Sequence, residues 1–202
     1  MARNVQPIVK RCRALGISPA ELGYTGASKR DSIRNPGAQR RKKKSEYALQ
    51  LNEKQKVKFV YGVMEKQIRM YYEKAVRMPG KTGENLLKLL ESRLDNIVYN
   101  LGFANTRPEA RQLVLHGHFT VNGKKVNIPS YLCKGGEVIA VKEGSRSSEK
   151  FKSIMEANAS KPIPKWLDLD RNTLQGRVIN LPAREDITLP VEEHLIVELY
   201  SK

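Results

Sequence analysis

Apolar positions along the chain recur first at helical spacing and then switch to alternation. From Tyr47 to about Arg77 the residues Val57, Val60, Tyr61, Met64, Ile68, Tyr71 and Ala75 step by three and four, which predicts an amphipathic helix broken near Gly62. Ser45 stands where it can cap that helix, with Glu46 at its positive end. Met78-Pro79-Gly80 stops the run. Thr82 then caps a helix in which Leu87, Leu90, Leu94, Ile97 and Leu101 share a face, with Gly102 as a suitable residue just past its end. Thr106 caps a third helix. Pro108 falls in its first turn, where a missing N–H costs little, and Ala110, Leu113 and Val114 face the core before Gly117 ends it.

From there the period is two. Phe119, Val121, Val126 and Ile128 point one way, and Thr120, Lys125 and Asn127 the other. Asn122-Gly123 between them tolerates the positive φ of a type I′ hairpin turn. Gly135-Gly136 leads into another alternating strand over residues 138–142. Residues 91–143 therefore predict helix, helix, hairpin and strand, a compact α+β unit. Outside this stretch the pattern is weaker. A short helix is expected around Val5–Leu15, ending at Gly16, and another around Ser148–Ala157. Lys161-Pro162-Ile163-Pro164-Lys165-Trp166 is extended, because each proline biases its predecessor away from helix, and Trp166 anchors the arm. The ending LPVEEHLIVELYSK fits a helix start or an alternating strand equally well.

Charge changes the picture. The chain of 202 residues carries 37 Lys+Arg against 21 Asp+Glu, a net +16. Residues 1–58 hold +11 of this, whereas residues 183–202 hold −3. A field of that size attracts polyanions, nucleic acid first and an anionic membrane surface second. The run Arg40-Arg41-Lys42-Lys43-Lys44 is a phosphate contact or a solvated loop, since five adjacent cations repel unless an anion sits among them. The basic start, with Arg3, Lys10, Arg11 and Arg13, has the character of an organelle transit peptide as well. No window offers the ~18 consecutive apolar residues of a membrane span. The two cysteines, Cys12 and Cys133, suggest no disulfide framework.

Catalytic signatures do not appear. There is no glycine-rich phosphate loop and no Ser–His–Asp or Cys–His set. His116 and His118 flank Gly117, but with Cys133 they are too few for a structural zinc, so no metal and no cofactor are expected. A corner hydrogen bond or an RNA contact suits them better. Double-stranded RNA hides its base edges, so a protein reads its shape, phosphates and 2′-hydroxyls with cations on rigid elements. Arg107 and Arg111 meet that need, four apart on a braced helix whose first turn also offers N–H groups. The residues expected to contact RNA are Arg40, Arg41, Lys42, Lys43, Lys44, Lys56, Lys58, Arg69, Tyr72, Lys81, Thr82, Asn85, Arg93, Thr106, Arg107, Arg111, His116, Asn122, Lys124 and Lys125.

The run Leu94-Asp95-Asn96, then Arg107 through Gln112, then Val121-Asn122-Gly123 resembles a small RNA-binding module first known in the ribosome. Flanking stretches narrow the likeness: Glu53-Lys54-Gln55-Lys56-Val57, Tyr61-Gly62, residues 82–87 and the ending Glu198-Leu199-Tyr200-Ser201-Lys202. With them the whole chain resembles the bacterial-type S-four family of small-subunit ribosomal proteins. That resemblance argues against a cleaved transit peptide, because the family starts with a similar segment. It implies a mainly helical domain, here 46–90 completed by 158–202, with the module inserted at 91–157 and a basic segment at 1–45. It implies a non-enzymatic constituent of the small subunit in the cytoplasm that binds the 5′ domain of 16S-type rRNA early in assembly. It further implies contact with mRNA at the entrance, where Arg40–Lys44 falls, beside small-subunit ribosomal proteins three and five. A share in translational accuracy and repression of its own mRNA follow from the same likeness. Some members bind zinc through four N-terminal cysteines; with Cys12 alone in that region the chain resembles the zinc-free version. Two rivals carry the same module, an RNA-modifying enzyme and a ribosome-associated stress factor. The first needs a catalytic domain with an essential Asp, and the second needs no long helical front end. No membrane and no small-molecule substrate are expected.

Overall fold

A computed structural model describes residues 7–24 and 45–201. The Arg40–Lys44 run lies outside the described residues. The chain divides into two compact units. One takes the described residues up to Gly83 together with those from Leu189 onward; the other is Glu84–Thr188.

The first unit is helical. It holds α1 (Ile8–Leu15), α2 (Glu46–Val60), α3 (Glu65–Val76) and the C-terminal helix, with a 3-10 turn at Pro19–Leu22. The Ser45 hydroxyl accepts from the Ala48 N–H and starts α2. Gly62, at φ 62°, separates α2 from α3 where the hydrophobic period continues but the backbone turns. Val57, Val60, Ile68, Tyr71 and Ala75 form its buried face. The open question at the C-terminus resolves as a helix, Glu193–Ser201, which packs against α2. Gln50 donates to Glu198 at 2.9 Å, and the ring of Tyr200 stacks on Tyr72 at 4.7 Å.

The second unit begins within α4 (Thr82–Glu91) and continues with α5 (Leu94–Asn100), α6 (Arg107–Leu115), β1 (Phe119–Val121), β2 (Lys124–Lys125), β3 (Val138–Val141), α7 (Glu143–Arg146), α8 (Glu149–Ala157), β4 (Leu167–Asp170) and β5 (Gln175–Val178). The C-terminal helix above is α9. The five strands make one antiparallel sheet in the order β2-β1-β3-β5-β4, with Phe119 opposite Val141, Val138 opposite Arg177 and Leu167 opposite Val178. The fold class is α+β.

The core lies between this sheet and α5, α6 and α8. Leu94, Ile97, Val98, Leu101, Phe103, Ala110, Leu113, Val114, Phe119, Val121, Ile139, Val141, Phe151, Ile154 and Trp166 are all buried in it. Phe119 meets Phe103 and Phe151 at centroid distances of 5.9 and 6.0 Å. Burying a phenylalanine of this kind contributes about 1.5–3 kcal/mol. Gly176 in β5 has a reason of close approach: a Cβ there would come within 2.4 Å of Leu101 Cδ1.

Four expectations change. The helix predicted from Thr82 to Leu101 is two helices, because Ser92 and Arg93 leave helical geometry to bond a distant loop. Leu94 N–H donates to Tyr131 C=O at 2.8 Å and Cys133 N–H to Ser92 C=O at 2.8 Å. The second strand of the hairpin is only Lys124–Lys125, and Ile128 is exposed rather than inward. Residues 167–178 form two strands of the module's sheet. Residues 158–188 consequently belong with the module and not with the helical domain, since β5 pairs with β3.

Candidate nucleic-acid interface

The start of α6 is built by local chemistry. The Thr106 hydroxyl accepts from Glu109 N–H at 3.3 Å, and the Glu109 carboxylate accepts from Asn105 N–H at 2.9 Å. This reciprocal capping fixes the first turn and the direction in which Arg107 leaves it.

Two polar residues of α5 then orient the arginines of α6. Arg107 Nε donates to Asn96 Oδ1 at 2.8 Å, and its guanidinium carbon lies 4.4 Å from the centroid of the Tyr99 ring. Asn96 is itself held through its amide N–H₂, which donates to the carboxylate and carbonyl of buried Glu91. Asn100 donates to the same carboxylate at 3.0 Å. Arg111 pairs with Asp95 at 3.2 Å, while Asp95 also accepts from Arg93 Nε at 2.9 Å and from its Nη2. Asp95 and Asn96 are almost fully buried, whereas the Arg111 side chain keeps 29% of its surface. The pattern is a buried acid-and-amide layer with two partly exposed guanidinium groups fixed above it. Held this way, each fork loses little further side-chain freedom on meeting a phosphate.

The hairpin adds a second set of cations. Asn122 and Gly123 both have positive φ, 49° and 78°, as the type I′ turn requires. The Asn122 amide oxygen accepts from Val138 N–H at 2.9 Å and ties the tip to β3. Lys124 and Lys125 are exposed on it. His116 is exposed as well, and its ring is 6.1 Å from that of His118. His118 has an interior role: its Nδ1 shares a hydrogen bond with the Ser145 hydroxyl at 2.9 Å and its ring meets Phe151 edge-on. Burial first, and then the charges of His116, Lys150 and Lys142, lower its pKa below the usual histidine value. Cys133 is buried, and burial pushes its thiol well above the ordinary range, which leaves it unreactive. Among the described residues no three His, Cys, Asp or Glu side chains gather into a metal site, and no helix is long and apolar enough to cross a membrane.

In the helical unit the expected contacts separate. Lys56 pairs with Glu53 at 2.7 Å and Lys58 with Glu65 at 3.2 Å, so both serve internal ion pairs. Lys54 joins the latter at 2.7 Å. Burial raises the Glu65 pKa, but the hydrogen bonds and charges of Lys54 and Lys58 outweigh it and the net shift is downward. Tyr72 has its ring against Tyr200 instead of open to a base. Arg69, joined to Glu73 at 3.5 Å, and Lys81 are exposed, and Thr82 is half-buried. Asn85 and Arg93 are 7% and 2% exposed, which makes them supports of the fold and removes them from a contact surface.

Sequence comparison settles the family. Residues 3–91 match the family described as ribosomal protein S4/S9 N-terminal domain, and residues 92–139 match the S4 domain. The protein named small ribosomal subunit protein uS4 from Agathobacter rectalis is 54% identical over 202 residues, covering the whole of both chains. The chain belongs to the uS4 family. Its likeness to the uS4 protein of Ruminiclostridium cellulolyticum is 55% over 208 residues, again end to end. That of Acetivibrio thermocellus is 63% identical over 195 residues, covering 96% of this chain and 89% of the relative. The residues that the sequence alone does not mark as part of the surface are its supports. Asp95 and Asn96 belong to the run that carries the family resemblance, yet their work of aiming Arg111 and Arg107 is visible only once α5 and α6 are packed together.

Proposed function

We propose that the chain is a structural, non-catalytic constituent of the small ribosomal subunit in the cytoplasm and binds its 16S-type rRNA. The observation that carries this reading is the end-to-end match, at more than half identity, to proteins named small ribosomal subunit protein uS4. The oriented pair Arg107 and Arg111 supports it physically, with Lys124, Lys125 and His116 as further exposed contacts. Arginine forks held at fixed separation suit phosphates on a folded RNA, whose geometry rather than base sequence is being read. The finer reading is that the chain binds the 5′ domain early and nucleates its assembly. Arg40–Lys44 then meets mRNA at the entrance beside ribosomal proteins three and five, contributing to accuracy, and the chain represses its own mRNA. This part rests on the family resemblance and on the concentration of charge in residues 1–58.

Binding of the full chain to separate transcripts of the rRNA domains tests the first part: tight binding to the 5′ domain alone is expected, and equal binding to all domains contradicts it. Neutralising Arg40–Lys44 is expected to leave that binding intact and to slow ribosomes entering structured mRNA. Normal unwinding by such ribosomes removes the entrance role.

A further inference from the structure

Lys161 lies beyond both matched family segments and outside the contacts expected from the sequence. The extended arm anchored by buried Trp166 brings it to the C-terminal end of α5. Its Nζ donates to Tyr99 C=O at 2.6 Å and stands 3.4 Å from the centroid of the Tyr99 ring. The Arg107 guanidinium carbon is 4.4 Å from that same centroid, so the two cations are no farther apart than these two distances combined. An ammonium has three donors, and the Tyr99 carbonyl takes one. No carboxylate among the described residues pairs with Lys161. Near it are Tyr99 on α5 and Arg107 at the start of α6, and Lys161 also lines a small cleft with Asn100, Asn158 and Arg171, which is exposed in the β4–β5 turn. A cation without a carboxylate, beside a second cation, is completed by a ligand that brings negative charge and several acceptors. A phosphodiester backbone has both.

We propose that Lys161 is a further RNA-contact residue, seating one backbone phosphate together with Arg107 beside the Tyr99 ring. The proposal rests on the rRNA-binding reading above. Burial, and then the charge of Arg107, lower the Lys161 pKa to about 7, so part of the population is neutral before RNA arrives. A phosphate favours the charged form, so binding takes up a proton above neutrality and weakens as pH rises. A lysine that merely satisfies the Tyr99 carbonyl gives no such linkage to RNA.

The experiment compares the full-length wild type with Lys161→Met and Lys161→Arg on a transcript of the rRNA 5′ domain, with thermal melting alongside as a check of folding. With the bound ammonium keeping its proton, Lys161 accounts for an affinity loss of about 30-fold between about pH 6 and pH 8.5. Lys161→Met is expected to lose that pH-dependent component and to lower the salt slope by about 0.7–0.9. Lys161→Arg, charged throughout, is expected to bind well with no such component. A folded Lys161→Met variant with wild-type affinity, slope and pH dependence overturns the proposal. If Lys161→Met does not fold, wild-type pH dependence in Lys161→Arg overturns it instead. Failure of the wild type to bind the transcript at either pH removes the rRNA reading itself, and the proposal with it.

Discussion

Replacing Asp95 with Ala is expected to destabilise the second unit far more than replacing its partly exposed partner Arg111. Asp95 is 4% exposed and accepts from two guanidinium groups, that of Arg93 inside and that of Arg111 above. Arg93 is itself 2% exposed, so Asp95→Ala leaves a buried cation without its carboxylate. Breaking one side of a buried pair typically costs about 3–5 kcal/mol. Arg111→Ala removes the more exposed partner, and Asp95 keeps Arg93; a partly exposed pair of this kind contributes about 1 kcal/mol or less. Since a domain is stable by only about 5–15 kcal/mol, the first loss is a large fraction of the total and the second is not. Urea unfolding followed by the fluorescence of Trp166, the single tryptophan and part of this core, reads the difference directly. The double variant Arg93→Ala/Asp95→Ala is expected to be less unstable than the two single losses added, because the two side chains interact and are removed together. Equal destabilisation by Asp95→Ala and Arg111→Ala refutes the reasoning, for it means the buried carboxylate is not what holds Arg93.

Three further outcomes are expected. Arg107→Ala/Arg111→Ala stays folded yet binds rRNA more weakly, and each lost phosphate contact lowers the salt slope by about 0.7–0.9; an unchanged slope takes both residues out of the interface. Gly176→Ala forces a Cβ against Leu101 and costs about 1–3 kcal/mol by overpacking, read as a lower urea midpoint at unchanged slope. Lys161 also leaves a pH signature in stability. Its folded pKa lies below its unfolded value of 10.5, so from about pH 7 to 10.5 the unfolded chain binds more protons and this contribution to stability rises with pH. Lys161→Met removes that rise, by at most about 1.4 kcal/mol per pH unit, and identical pH profiles for variant and wild type contradict the assignment.

Elements specified by local chemistry were legible in the sequence. The Thr106 cap, the Pro108 first turn, the Gly117 stop and the Asn122-Gly123 hairpin each depend on residues within a few positions of one another. The break at Arg93 was hidden because Leu90, Leu94, Ile97 and Leu101 keep helical spacing straight through it. What interrupts the helix is hydrogen bonding to residues 129–133, nearly forty positions away. Strands β4 and β5 escaped for a similar reason. LDLD alternates over only four residues and QGRV has a single apolar side chain; β5 is placed by pairing with β3 across a long connection, and β4 by pairing with β5. The surface was legible only in part: a sequence displays cations but not which of them have acids at home. Lys56 and Lys58 turn out to serve Glu53 and Glu65, and Arg93 serves Asp95, whereas Lys161 enters the neighbourhood of Arg107 from sixty residues downstream of Tyr99.

Sedimentation tests the ribosomal role most directly. A lysate containing the full chain is run on a sucrose gradient with and without ribonuclease, and the chain is quantified against small-subunit rRNA. One copy per small subunit is expected, released to the top of the gradient when the rRNA is digested. A chain that stays at the top without nuclease, or that travels with subunits at a small fraction of their number, contradicts a structural place in the particle.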